Sequence, residues 1–292
     1  MISEEQFHNE LQLIITNALR EDIGDGDHSS LACIPTNAQG QAKLLVKDNG
    51  IIAGVEFAKM IFQSVDAAMK VEVFIEDGSE VKYGDVVFHV SGSSQSILKA
   101  ERLVLNSMQR MSAIATKTKK YVDLLKGTTT KVLDTRKTTP GFRACEKWAV
   151  KIGGGENHRF ALYDMIMLKD NHNDFAGGIT NAITKTKAYL KTNNKDLKII
   201  VEARNLDEIN EILQSDGVYR ILIDNFNFED TKKAVALIGN QCLTESSGNI
   251  NETTIRQYAE CGVNYISSGA LTHSVYNMDL SLKAMGEVGS SS

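Results

Sequence analysis

The feature that most constrains the fold is a regular alternation of short apolar segments with helical stretches in the second half of the chain. Four of these segments end at Glu202, Asp224, Glu245 and Ser267, which are spaced 22, 21 and 22 residues apart. Strands and helices that alternate at this pitch are typical of consecutive βα units, which build a parallel sheet. Six strands predict an open α/β barrel, because a complete one has eight. The six segments are 131–134, 165–170, 198–203, 220–225, 242–248 and 264–269.

The first half of the chain has a different pattern. Residues 4–20 carry apolar side chains at helical spacing, and the sequence then turns to short strand-like segments separated by Gly, Asp and Asn. A long helical stretch follows at about residues 95–126. This order predicts a mixed α+β region ahead of the barrel, and no low-complexity linker separates the two halves.

Composition excludes some classes of function. The net charge of −5 argues against nucleic acid as a partner, since nucleic-acid binding favours a basic face. The N-terminal 24 residues carry acids where a signal peptide carries cations, and no apolar run approaches the roughly 20 residues of a membrane span. The four cysteines lack metal-ligand spacing. We therefore expect a cytoplasmic protein with reduced thiols and without a nucleic-acid or membrane partner.

Polar residues gather where the predicted strands end. Right-handed crossovers bring these ends to one edge of the sheet, where barrel enzymes hold their active sites. Residues 131–172 contain eight Lys or Arg and five Asp or Glu, although the whole chain is acidic. The motif "GGGENHR" places His158 and Arg159 directly after three glycines, where backbone can approach a ligand closely. These cations predict an anion-binding rim, with a basic surface face as the plainer alternative.

Two further patterns point to a phosphorylated ligand. The loops "SSGNI" (246–250) and "SSGALTHS" (267–274) each follow a strand and precede a helical segment, a setting that suits a phosphate. Glu202 and Asp224 end neighbouring strands. Such a carboxylate pair can hold Mg²⁺ beside substrate phosphates, bind ribose hydroxyls, or remain solvated or ion-paired.

Together these segments resemble the quinolinate phosphoribosyltransferase family, the decarboxylating nicotinate-nucleotide pyrophosphorylases of NAD synthesis. The resemblance rests on "EDIGDGDHSS", "ERLVLNSMQRMSAIAT", "DTRKTTPGFRACEKWAVKIGGGENHRFALYDMIMLKDNH", "VEARN", "LIDNF" and "ISSGALTHS". It implies an α/β fold with an N-terminal α+β sandwich at residues 1–112 and an open six-stranded α/β barrel at 113–274. Segment 275–292 would pack back on the sandwich. The implied reaction transfers phosphoribosyl from phosphoribosyl pyrophosphate to quinolinate, with Mg²⁺, in a homodimer.

The resemblance also implies roles for single residues. Lys137 would lie between quinolinate and the sugar pyrophosphate, and Arg102 would reach in from the partner subunit. Glu202 and Asp224 would hold ribose hydroxyls and the metal. The quinolinate carboxylates would meet Arg136, His158, Arg159 and Lys169, and the 5′-phosphate would meet Ser247, Gly248, Ser268, Gly269 and His273. One departure is Asn249, where the family pattern has glycine; asparagine tolerates positive φ, so we expect the loop to keep its shape.

Three other functions remain open at this stage. A lyase that forms a Schiff base through Lys169 is compatible with a strand-end lysine, although Schiff-base chemistry needs an amine of lowered pKa. A family member repurposed for another substrate is a second alternative. A phosphate-ligand-binding protein without catalysis is the third, and the carboxylates Glu202 and Asp224 count against it.

Overall fold

A computed structural model describes residues 2–285 of the chain. It divides into two compact units. The first, here called the sandwich unit, comprises Ser3–Lys119, Thr138–Gly154 and the described residues from Leu271 to Met285. The second, here called the barrel unit, comprises Lys120–Lys137 and Gly155–Ala270.

The sandwich unit is built on an antiparallel sheet with helices. Its four-stranded sheet has the order β12-β1-β5-β3, and β2 pairs with β4 separately. The C-terminal strand β12 pairs with β1 from Gln41↔Met285 to Val46↔Leu280. Alternate residues of β1 are buried, as expected for a sheet with one covered face. The strands are β1 (Gln39–Val46), β2 (Gly50–Ile51), β3 (Lys70–Val73), β4 (Glu80–Val81), β5 (Val86–Ser93) and β12 (Leu280–Met285).

Five helices accompany this sheet. A capping box at Ser3 and Gln6 starts α1, because it satisfies backbone N–H groups that the first helical turn leaves unpaired. The "GGG" motif has a packing role here: a Cβ on Gly153 would lie 2.4 Å from the carbonyl oxygen of Ala115 on α4. That glycine is therefore explained by close contact with a helix. The helices are α1 (Glu4–Ile23), α2 (His28–Cys33), α3 (Val55–Val65), α4 (Ser94–Leu124) and α5 (Arg143–Ile152).

The barrel unit contains a six-stranded parallel sheet in the order β6-β11-β10-β9-β8-β7. Within the described chain β6 and β7 are not paired, so the barrel is open between them. Its strands are β6 (Lys131–Leu133), β7 (Ile166–Leu168), β8 (Ile199–Ala203), β9 (Arg220–Asp224), β10 (Leu243–Ser247) and β11 (Tyr265–Ser267). Its helices are α6 (Asp170–Ala176), α7 (Ile179–Thr192), α8 (Leu206–Leu213), α9 (Phe228–Ile238) and α10 (Ile255–Glu260), and α11 (Ala270–His273) follows β11.

Strand register decides which side chains share a face of the barrel sheet. Glu202 on β8 is the register partner of Leu222 on β9, which is the partner of Glu245 on β10. Register partners point to the same face, and so does every second residue along a strand. Glu202, Glu245 and Asp224 therefore lie on one face, and the side chain of Lys169 joins them through a contact with Glu202.

The predicted fold class is confirmed: all six predicted barrel strands form, in a parallel sheet, and a separate antiparallel α+β unit accompanies it. The predicted boundaries 1–112 and 113–274 stay predictions. For segment 275–292, residues 286–292 lie outside the described part of the chain. Over residues 2–285, the search for a helix long and apolar enough to cross a membrane finds none.

Candidate active site

Two arginines, Arg136 and Arg159, lie on the rim where strands β6 and β7 are found. Arg136 follows β6 and Arg159 precedes β7, and the Arg159 side chain donates to the Met165 carbonyl at 3.2 Å. Burial lowers the pKa of the Arg159 guanidinium, and the nearby positive charge of Arg136 lowers that pKa further. Two like charges held close together in a partly buried place favour binding of an anion, which would offset their repulsion.

Asp134 holds the segment that carries His158 and Arg159 in place through hydrogen bonds. This carboxylate is fully buried at the end of β6 and accepts from the His158 backbone N–H at 2.8 Å and from the Asn157 amide at 2.5 Å. The preceding Glu156 forms a parallel bridge with Leu133. The free edge of β6 thus determines where His158 and Arg159 lie.

Lys169 and Glu202 form a pair between neighbouring strand ends. The Lys169 Nζ donates to Glu202 Oε2 at 2.9 Å, with the lysine half exposed and the carboxylate buried. A cation held this way is oriented on the rim, while its exposed side remains accessible to an anion.

Asp224 lies beside the first Ser/Gly loop. Ser247 Oγ donates to Asp224 Oδ1 at 2.5 Å, and the Asn225 amide donates to Asp224 Oδ2 at 2.7 Å. Gly248 has φ +94°, and a Cβ there would lie 2.1 Å from Asn225 Oδ1. Glycine is required at 248 for both reasons. Asn249 has φ +51°, the conformation that its residue type tolerates.

The second Ser/Gly loop leaves the neighbouring strand. Ser268 Oγ donates to the Ile250 carbonyl at 3.4 Å, which ties this loop to the first, and Gly269 directly precedes α11. Both loops therefore end adjacent strands at one rim. The barrel unit brings together eleven of the predicted site residues: Arg136, Lys137, His158, Arg159, Lys169, Glu202, Asp224, Ser247, Gly248, Ser268 and Gly269.

Two predicted site residues belong to the sandwich unit. Arg102 is exposed on α4, and His273 is exposed at the end of α11, where its Nδ1 lies 2.7 Å from Ser274 Oγ. The roles of both residues stay predictions.

A buried residue that the sequence pattern does not single out holds the "TTPG" turn. Glu146 on α5 accepts from the Thr139 backbone N–H at 3.0 Å and from the Thr139 hydroxyl at 2.8 Å. Arg110 on α4 ion-pairs with the same carboxylate at 2.9 Å. The turn that follows Lys137 along the chain is thereby anchored. No specific signal of this role stands in the sequence, because α5 buries a second charged side chain, Lys147, among its apolar ones.

A second missed group lies on the barrel sheet. Glu245 is in sequence only a strand-end acid, but in the structure it is 1% exposed and ion-pairs with Arg220 at 2.6 Å. It also lies 3.2 Å from Nε2 of the predicted substrate residue His158. Burial by itself raises the pKa of the Glu245 carboxyl, but His158 and Arg220 lower it to about 2. This acid is therefore ionised at neutral pH.

An α/β-barrel transferase that acts on anionic substrates is the class that this fold and rim define. The chain belongs to the quinolinate phosphoribosyl transferase family. The sequence model of the family's C-terminal domain matches residues 114–283, and that of its N-terminal domain matches residues 27–112. The expected family membership is confirmed.

Similar proteins come from plants and bacteria. A rice (Oryza sativa subsp. japonica) protein named nicotinate-nucleotide pyrophosphorylase [carboxylating], chloroplastic, is 45% identical over 94% of this chain and 77% of its own length. A Nicotiana glauca protein named quinolinate phosphoribosyltransferase [decarboxylating] 2, mitochondrial, is 43% identical over 94% of this chain and 82% of its own length. The crystal structure of NadC from Streptococcus pyogenes is 37% identical and superposes with a TM-score of 0.87, covering 98% of this chain and 99% of that one.

These relatives correct one expectation. The prediction of a cytoplasmic protein is wrong, because the rice relative is named chloroplastic and the Nicotiana glauca relative is named mitochondrial. The acidic N-terminus, on which that prediction relied, does not decide the compartment.

Proposed function

We propose that this enzyme transfers the phosphoribosyl group of phosphoribosyl pyrophosphate to the ring nitrogen of quinolinate. The products are nicotinate mononucleotide, pyrophosphate and CO₂, and the reaction belongs to de novo NAD synthesis. The observation that carries this proposal is that two arginines gather at the end of β6: Arg136 follows this strand, and Arg159 lies on the segment that is bound to Asp134 and bridged to Leu133. The lowered pKa of Arg159 agrees with their proximity. The names of the relatives give the same reaction.

Quinolinate is a dianion, and moving two carboxylates out of water requires fixed cations. Arg136, Arg159 and Lys169 supply three, and His158 belongs to the same wall. Arginine's planar fork suits a carboxylate, whereas lysine provides a compact charge. Lys169 is oriented by Glu202 and half exposed, which supports its place beside the substrate.

The sugar phosphate would bind at the part of the rim formed by the two Ser/Gly loops, which follow β10 and β11. The 5′-phosphate would bind at the loops that contain Ser247, Gly248, Ser268 and Gly269, with His273 at the same end. The positive φ of Gly248 gives the first loop a backbone turn of the kind that can present N–H groups to a phosphate. Lys137, exposed after β6, would lie between the two substrates.

Mg²⁺ would be held by Glu202 and Asp224. Among residues 2–285 no group of three or more His, Cys, Asp or Glu side chains suits a metal. Mg²⁺ often takes only one or two protein carboxylates and fills its shell with substrate phosphates and water. The two carboxylates share one face of the sheet, which fits this mode. When bound, the ion would neutralise negative charge on the pyrophosphate.

Different residues would stabilise the two groups that separate when the bond between the sugar and pyrophosphate breaks. Loss of pyrophosphate builds positive charge on the sugar, which Glu202 and Asp224 would stabilise near the ribose. Lys137 and Lys169 would act through their charge rather than as proton carriers. Once the ring nitrogen carries the ribose, its positive charge stabilises the carbanion left on the ring when CO₂ leaves, and a proton from solvent then replaces the lost carboxylate. We therefore assign no general base.

Replacing Asp224 with asparagine should raise the Mg²⁺ concentration needed for half-maximal activity by about tenfold, because an amide is a weaker ligand than a carboxylate. The measurement is initial rate against free Mg²⁺ with both substrates saturating. Asp174→Asn is the control, since Asp174 is an exposed acid paired with Arg204. An unchanged Mg²⁺ dependence in Asp224→Asn would argue against a metal role for this residue.

A homodimer with shared active sites is the proposed assembly. Arg102 is exposed on α4, which supports a role for it on a neighbouring subunit. It would add one more cation to the quinolinate site of the partner. Neither nucleic acid nor a membrane is proposed as a partner.

The alternative lyase is disfavoured by the environment of Lys169. Schiff-base formation needs a neutral amine, whereas the Lys169 ammonium is ion-paired with Glu202 at 2.9 Å. Covalent trapping of a carbonyl substrate on Lys169 by borohydride would favour the lyase.

The proposed function is tested by incubating the enzyme with quinolinate, phosphoribosyl pyrophosphate and Mg²⁺. We expect nicotinate mononucleotide and CO₂ to form together, at the same rate. Absence of both products from folded enzyme would refute the assignment, and would point to the repurposed or non-catalytic alternatives.

A further inference from the structure

A chain of buried contacts runs from the start of strand β9 to the predicted quinolinate site. Arg220 Nη1 donates to Glu245 Oε2 at 2.6 Å, and the same oxygen lies 3.2 Å from Nε2 of His158. The side chains of these three residues are 7%, 1% and 5% exposed. Burying two formal charges together is costly and is often no better for stability than an apolar pair. A role beyond stability is therefore worth seeking.

The contacts of the two ring nitrogens define what the His158 ring does: Nδ1 has a hydrogen bond, and Nε2 has the 3.2 Å ion-pair contact with Glu245. Its Nδ1 accepts the backbone N–H of Arg159 at 2.7 Å. A ring nitrogen that accepts a hydrogen bond carries no proton, so in this arrangement the proton is on Nε2, the atom that faces Glu245. The His158 ring thus connects the buried Glu245 carboxylate to the backbone of Arg159.

Arg220 lies at the far end of this series of contacts, away from the rim, and its own position is fixed by two aromatic rings. Its guanidinium lies over the Tyr265 ring, 4.1 Å from the centroid, and within 5.4 Å of the Tyr219 centroid. Arg220 begins β9 while Asp224 ends it, so roughly 13 Å of strand separates Arg220 from the rim. Any effect of Arg220 on the substrate must therefore pass through Glu245.

We propose that Glu245 and Arg220 are positioning residues for quinolinate. Arg220 orients Glu245, Glu245 holds the His158 ring by Nε2, and the ring's Nδ1 holds the Arg159 backbone so that its guanidinium faces the dicarboxylate. The inference rests on the proposed function, because it concerns affinity for the acceptor.

Two double variants separate positioning from stability. Arg220→Met with Glu245→Gln, and Arg220→Met with Glu245→Met, both remove both charges, so neither leaves an unpaired buried charge. The glutamine replacement keeps an oxygen that can accept from Nε2 of His158, whereas the methionine replacement does not. We expect the KM for quinolinate to be about tenfold higher in the variant with methionine in place of Glu245 than in the variant with glutamine there. The KM for phosphoribosyl pyrophosphate should be the same in both. Equal quinolinate KM values, or a parallel rise for both substrates, would overturn the proposal.

A measurement on the unaltered protein decides the matter if a double variant does not fold. The ¹⁵N spectrum of the histidine side chains, recorded at neutral pH without substrate, should show His158 with its proton on Nε2 and none on Nδ1. The signal is assigned by its loss in His158→Asn. A ring protonated on Nδ1, or on both nitrogens, would overturn the proposal. Because no substrate is present, this result is independent of whether quinolinate is turned over.

Discussion

Replacing Arg159 with methionine should lower kcat/KM for quinolinate about 100-fold, the loss expected when one partner of a desolvated charge pair is removed. Arg159 is 9% exposed, and both burial and the Arg136 charge lower its pKa. Binding a carboxylate between these guanidiniums offsets both effects. The kcat/KM for phosphoribosyl pyrophosphate should fall much less when quinolinate is saturating.

The matched variants for this test are Arg159→Lys and Arg20→Met. Lysine keeps the charge and loses the planar fork, so we expect an intermediate loss. Arg20 is exposed in the last turn of α1 and should tolerate the change. Thermal unfolding separates loss of binding from loss of fold. A fall in Arg159→Met of only about twofold, the size of an ordinary surface effect, would exclude Arg159 from the quinolinate site.

Mixing Arg102→Ala with Arg136→Ala, each nearly inactive alone, should restore about a quarter of wild-type activity after free subunit exchange. Half of the dimers would then be mixed, and each mixed dimer would contain one site with both arginines intact. This outcome requires Arg102 to serve the partner's barrel. Activity is measured before and after subunit exchange. Each variant carries a different affinity tag, so that the fraction of mixed dimers can be measured.

A mixture of Arg136→Ala with Arg159→Ala is the control. Both residues belong to the same barrel unit. Each barrel of a mixed dimer therefore lacks one of the two arginines, and no recovery of activity is expected. If exchange is complete and Arg102→Ala with Arg136→Ala also stays inactive, Arg102 does not act across the interface.

The sequence predicted the barrel because strand ends and polar residues are local signals. Asp224 and Ser247 each follow an apolar run, and parallel connection brings such ends to one edge. The structure has them 2.5 Å apart, although they are 23 residues apart in the chain. The positive φ of Asn249 was likewise predictable from its residue type.

The supporting contacts were not predictable, because they join residues distant in sequence inside the fold. Glu245 looks like any strand-end acid until its register places it against Arg220 and His158. Gly153 looked like a residue near a ligand, and instead contacts the backbone of α4. Tertiary packing decides such roles, and a single sequence carries no record of which distant side chain fills the space.

The most direct test of the account is a competition between acceptors. The enzyme is given phosphoribosyl pyrophosphate, Mg²⁺ and equal concentrations of quinolinate and nicotinate, with the two acceptors carrying different isotopic labels. Because the wall of cations is suited to a dicarboxylate, the nucleotide should derive almost entirely from quinolinate, with one CO₂ released for each molecule formed. Nicotinate reacting as well as quinolinate would contradict the account.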